Sequence, residues 1–278
     1  MKHLFAVCLL AVLPTLTWAE KTPSQMLGIW ATPTCTAAED TLVFFNGFYL
    51  WLGEDDSMLA GIELAQEQPG GLTRLEESDG YPNFFQLLPD GRLREVFLPE
   101  DAELTATPDS TWESVDYENC GGSLPRDKVM LHGEAVAMLS VVSRAQQSCK
   151  QDQAACAITL FAGLDITGDG NLSSAELARL FRVAGYLAAI SESDGATSDD
   201  LAAVLAASLP VAPLMASAIV HSFDYDNDGV ISLAEISQDR ASAIEGFEPD
   251  VGNEMGSQLD RMKDTLRPLG RLLENFSR

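Results

Sequence analysis

Twelve consecutive residues constrain this chain more than any others: Asp224-Tyr225-Asp226-Asn227-Asp228-Gly229-Val230-Ile231-Ser232-Leu233-Ala234-Glu235. Oxygen-bearing side chains fall at positions 1, 3, 5, 9 and 12 of the stretch, and a glycine at position 6. So many carboxylates in so few residues repel one another unless a cation sits among them. The glycine marks a sharp turn at positive φ, where a Cβ would clash. The pattern is what Ca²⁺ asks of a peptide, about six to eight hard oxygens wrapped around it by one turn of chain. Asp224, Asp226 and Asp228 offer carboxylates, and Val230 its backbone carbonyl. Ser232 makes a direct or water-mediated contact, and Glu235 closes the sphere with both oxygens.

A second copy lies upstream, with Asp165, Thr167, Asp169, Asn171, Ser173 and Glu176 at the same positions and Gly170 at the turn. Thr167 replaces a carboxylate with a hydroxyl, so this loop carries less negative charge than the downstream one. Leu172 and Ile231 stand at position 8 of their loops, where paired loops join through a short two-stranded contact. Apolar residues flank both loops at helical spacing: Phe161 and Leu164, then Leu177, Leu180 and Phe181; Ile219, Val220 and Phe223, then Ile236 and Ile244. The two stretches resemble the EF-hand family, over roughly residues 154–247. The resemblance implies two bound Ca²⁺ ions, one per loop. Ser173 with Glu176, and Ser232 with Glu235, also spell a capping box. Each glutamate can therefore cap its own helix or turn to an ion, and not do both fully.

The start of the chain reads as an export signal. Lys2 and His3 precede an apolar run from Leu4 to Leu16, and Thr17-Trp18-Ala19 forms a small-x-small cleavage site. The run is shorter than the ~20 residues that span a bilayer, so no membrane span is expected once residues 1–19 are removed. Cys8 leaves with the signal, and Cys35, Cys120, Cys149 and Cys156 remain. An even set in an oxidising compartment predicts two disulfides, with locality favouring Cys35–Cys120 and Cys149–Cys156. Residues seven apart in one helix lie ~10 Å apart along its axis, so the second bond requires a break near Lys150–Gln153. The formal net charge of −25 repels phosphate backbones and argues against nucleic acid as a partner.

Residues 20–122 have the grammar of strands. Leu42 to Phe45, Asn46-Gly47 and Phe48 to Leu52 predict a hairpin through a type I′ turn. Met58 to Ala65 with Leu72 to Glu77, and Phe84 to Leu88 with Leu93 to Leu98, predict two more hairpins. Trp112 to Tyr117 makes a last strand. The expected form is an antiparallel meander, a curled sheet or a small barrel closed by a disulfide. Leu27-Gly28-Ile29-Trp30 is similar to the Gly-x-Trp opening of lipocalin-like barrels.

After Gly121-Gly122 the pattern turns helical, with Leu131, Ala135, Met138, Val142 and Ala145 on one face. The fold class expected is α+β: the meander followed by an all-helical domain, residues 123–250, that contains an EF-hand pair at 165–176 and 224–235. The loops lie farther apart than in the family's usual pair. The excess is a polar linker from Ser191 to Ser198 and a short helix from Thr197 to Pro210. Residues 251–278 form a separate amphipathic helix: Met255, Leu259, Met262, Leu266, Leu269, Leu273 and Phe276 recur at spacings of 4, 3, 4, 3, 4 and 3. Docking of this helix in cis onto the loop pair is one expectation, an ordinary core helix a second, and a coiled coil with another chain a third.

No catalytic set stands out: His132 and His221 fit packing or surface positions, and no phosphate loop or nucleophile elbow appears. The chain reads as a non-enzymatic calcium-binding protein, periplasmic or secreted, in which Ca²⁺ stabilises or switches the helices for a protein partner. The alternative is a carrier whose β domain holds a small apolar ligand, calcium being structural only.

Overall fold

Leu42 to Phe45 and Phe48 to Leu52 are apolar at every position, and strands of that kind need cover on both faces. The computed structural model describes residues 22–77, 80–99, 101–191 and 195–244. The expected export signal and the 251–278 stripe lie outside the described residues. Eight strands follow in order: β1 (Gly28–Thr34), β2 (Ala37–Phe45), β3 (Phe48–Leu52), β4 (Asp56–Gln68), β5 (Leu72–Glu77), β6 (Pro82–Leu87), β7 (Leu93–Val96) and β8 (Ser114–Asn119). Each pairs antiparallel with the next, and β8 returns to β1, so the sheet closes into a barrel. The seam is short, Trp30 opposite Asn119 and Ala31 opposite Glu118. The Cys35–Cys120 disulfide stands beside it, tying the β1–β2 turn to the residue after β8.

Register sorts the apolar side chains onto the two faces. Trp30, Leu42, Trp51 and Met58 are cross-strand partners and point inward with Phe44, Ile62, Leu75, Phe85, Leu93 and Tyr117. An eight-stranded barrel has an interior that side chains fill, or that holds one small ligand. Here aromatic rings fill it, Phe44 meeting Phe85 edge-on at 5.3 Å. One carboxyl is enclosed with them. Burial pushes Glu95 up to about 7, against the 2.8 Å hydrogen bond it accepts from Tyr117, with Asp40 and Glu77 adding to the rise.

The outward partners Ile29, Val43 and Leu50, with Phe45, Phe48 and Leu52, form the other face, and helices cover it. The helices are α1 (Arg126–Gln151), α2 (Gln153–Leu164), α3 (Ser174–Ser191), α4 (Ser198–Phe223) and α5 (Leu233–Ile244). Ala135, Val136, Met138 and Leu139 of α1, Val183, Tyr186 and Ile190 of α3, and Leu201 of α4 share one core with the barrel's outer face. This overturns the expected all-helical domain with an EF-hand pair. The helices hold in common with the barrel the core that the strands' second apolar face demands. They are also interrupted by strand. β10 (Ala196–Thr197) hydrogen-bonds to Asp56 and Ser57 of β4, on the edge that β5 leaves uncovered. Within the expected polar linker, Ala196–Thr197 is thus an extra strand of the barrel sheet.

Polar contacts fix the same interface. Lys128 reaches from α1 to donate to the carbonyls of Gly53 (2.5 Å) and Glu39 (3.2 Å). His132, one turn on, is buried with Nδ1 2.7 Å from the Tyr186 hydroxyl, and burial followed by the Lys128 charge lowers it to about 4. It is a neutral packing residue. Arg182 pairs with Glu134 at 2.6 Å, joining α3 to α1.

Two local expectations change. At Asn46-Gly47 only the glycine has positive φ (89°), so the hairpin is present but its turn is not type I′. Tertiary bonds hold it instead: Asn46 donates to the Ser143 hydroxyl, and Gly47 to Thr22. The helix expected to end at Pro210 runs on through Pro210 and Pro213 to Phe223. Both prolines are exposed, so water can satisfy the carbonyls they leave unpaired. By length and composition α4 could cross a membrane, but one end is bonded to the barrel and the other opens into the acidic loop.

The Cys149–Cys156 disulfide forms across the expected break, which falls at Asp152 (φ −154°, ψ 126°). α2 then folds back on α1, so closely that a Cβ on Gly163 would stand 2.1 Å from Val141 Cγ1. Gly163→Ala is expected to destabilise the fold by about 1–3 kcal/mol through overpacking. The double variant with Val141→Ala should melt above Gly163→Ala alone; if it melts lower, the contact is not the cause.

Glu95 generates a pH dependence. Its folded pKa is raised, so its contribution is fully present below about 4.5 and is lost as pH rises through about 7. Chemical denaturation of wild type against Glu95→Gln at pH 5 and pH 8 should show the wild type losing more stability, by up to ~3 kcal/mol. Parallel pH profiles would contradict this.

Candidate metal centre

α2 and α4 each end where a loop aspartate takes the last helical hydrogen bond. Asp165 donates its amide to Phe161 at 3.0 Å, and Asp224 to Val220 at 2.8 Å. The chain then turns through two positive-φ residues in each loop, Gly168 (70°) and Gly170 (84°), Asn227 (61°) and Gly229 (90°). Asparagine accepts that region more readily than most residues. The opening aspartate fills the turn it creates. Asp165 accepts from Gly168 (2.7 Å) and Gly170 (2.7 Å), and Asp224 from Asp228 (3.0 Å) and Gly229 (2.9 Å).

Each loop is closed end to end by its last residue. Glu176 accepts from the amides of Ile166 (2.8 Å) and Thr167 (3.1 Å) through one oxygen, and from Ser173 N (2.8 Å) and Oγ (2.8 Å) through the other. Glu235 does the same with Tyr225 (2.8 Å) and Ser232 (2.7 and 2.8 Å). Ser173 and Ser232 accept in return from the amides of Glu176 and Glu235, so both capping boxes are formed. Burial works to raise the Glu176 carboxyl, but the donors from Ser173, Thr167 and Ile166 outweigh it and hold it at about 2. Amides at the second position of each loop are partners that side-chain spacing could not reveal, because the main chain supplies them.

The downstream loop brings Asp224, Asp226 and Glu235 together, with one oxygen of each within 4.8 Å of the others. Ca²⁺–oxygen distances of about 2.3–2.6 Å allow opposite ligands to stand ~5 Å apart, so one ion's sphere accommodates this set. Desolvation lifts Asp226 above its ordinary value, and the charges of Asp228, Glu235 and Asp224 add to the rise. Asp228 accepts from the amide of Val230, and Val230 and Ser232 stand at the seventh and ninth positions of the loop. Upstream, Asp169 accepts from Asn171, and Thr167 bonds to Asp165 and Glu176 through its hydroxyl where the downstream loop has a carboxylate.

The loops are joined. β9 (Asn171–Leu172) pairs antiparallel with β11 (Ile231–Ser232), Leu172 opposite Ile231 and Asn171 opposite Ser232. Beneath them Phe161, Leu177, Ala178, Ala212, Ala216, Ile219 and Val220 form a core, with Leu164, Phe181, Phe223 and Ile236 against it. The side chain of Ile244 lies outside the described residues. No protein family, curated protein or solved structure matches the chain.

Proposed function

We propose that this chain is a calcium-binding protein of an oxidising compartment, whose two paired loops each hold one Ca²⁺ and thereby fix the helices laid over a β-barrel. The observation that carries the reading is the convergence of Asp224, Asp226 and Glu235 within the span of one coordination sphere. Asp224, Asp226, Asp228, Val230, Ser232 and Glu235 would hold one ion, and Asp165, Thr167, Asp169, Asn171, Ser173 and Glu176 the other, in the manner of EF-hand loops. Bound there, Ca²⁺ supplies charge neutralisation to carboxylates that otherwise oppose one another. The two disulfides support export, since such bonds persist outside the reducing cytoplasm.

Stabilisation reaches the barrel because α3 and α4 begin or end at the loops and also enter the barrel's outer core. A ligand that binds only the folded state adds about 2.7 kcal/mol at a hundredfold excess over its Kd. The full chain should therefore melt higher in calcium than in chelator, and a calorimetric titration should show two sites. The downstream site should be the tighter, because Asp226 replaces Thr167. Glu235→Gln should remove the tighter step and Glu176→Gln the weaker one. No binding heat and equal melting temperatures would overturn the reading.

A further inference from the structure

α4 carries no Asp, Glu, Lys or Arg from Leu201 to Phe223, in a chain whose net charge is −25. One of its faces is spent on the two cores, through Leu201, Ala212, Ala216, Ile219 and Val220. The opposite face lies in solvent, and it is apolar too. Ala207, Val211, Leu214 and Ala218 recur along it at spacings of 4, 3 and 4 and are all exposed, Leu214 at 72%. A row of exposed apolar side chains along one helix face is the kind of surface that marks a contact site.

We propose that residues 255–276 of this same chain cover the outer face of α4, apolar stripe against apolar stripe. The reading is independent of calcium binding. Three observations select this occupant. Reach is the first: the described chain ends at Ile244, and residues 245–254 can extend about 33 Å, close to the ~39 Å length of α4 itself. Pattern is the second. Met255, Leu259, Met262, Leu266, Leu269, Leu273 and Phe276 repeat the 4, 3, 4 spacing of the exposed face, while Asp260, Arg261, Lys263, Asp264, Arg267, Arg271 and Glu274 fall on the other side of such a helix. Seated on α4, the segment replaces an uncharged surface with a charged one. Charge is the third. Five basic and four acidic residues make 254–278 net positive, set beside an acidic body. Tethering adds an effective concentration that a separate partner lacks.

Hydrogen exchange on the full chain tests the proposal. Amides in 255–276 should be protected at least about tenfold over a free peptide, and Leu214→Asp should abolish that protection while the β1–β4 amides keep theirs. Leu214 is exposed, so aspartate there should leave the fold intact, which near-ultraviolet dichroism of the variant checks. A chain truncated after residue 250 should bind a hydrophobic dye more strongly than the full chain, with calcium and with chelator alike. Four results would overturn the proposal. They are an unprotected segment, protection that survives Val211→Asp with Leu214→Asp, dye binding only in calcium, and a full chain that dimerises or binds phosphatidylcholine vesicles through α4.

Discussion

Strands β2 and β3 are apolar on both faces, and the rest of the structure answers to that. A closed barrel covers only one face of each strand. The other must be covered from outside, and Ile29, Val43, Phe45, Phe48, Leu50 and Leu52 therefore recruit α1, α3 and the start of α4.

The consequence for the loops is geometric. α3 leaves the upstream loop and runs into the barrel's outer core, carrying Val183, Tyr186 and Ile190. α4 runs the other way, from a β10 strand bonded to β4 down to Asp224. The two helices are thus struts between the barrel and the β9–β11 loop pair. Lys128 and the His132–Tyr186 hydrogen bond hold the barrel end of this frame, and Leu172 and Ile231 the loop end.

The loops were legible as sequence because their geometry is local. Aspartate at position 1, glycine at 6 and glutamate at 12 specify turns and end-to-end closure within twelve residues, and the helix break at Asp152 follows from a seven-residue disulfide in the same way. Less was legible where distant residues decide. The Asn46-Gly47 turn departs from type I′ because Ser143 and Thr22, far off in the chain, take its amides. α4 passes two prolines because the apolar face on either side of them is buried against α3 and the loop core.

What the sequence alone determined was a set of short-range facts: strands, hairpins, helix starts, two acidic loops and their flanking apolar faces. Side-chain periodicity and turn chemistry act over a few residues, and they carry that information without tertiary context. Closure of the barrel, the β10 strand and the helices' place on the barrel's outer face were decided by the tertiary structure. The unalternating runs in β2 and β3 did signal that both faces would be covered, but a run of apolar residues says nothing of which element covers it. That choice depends on the free energy of packing whole surfaces together, and no local stretch of this chain contains it.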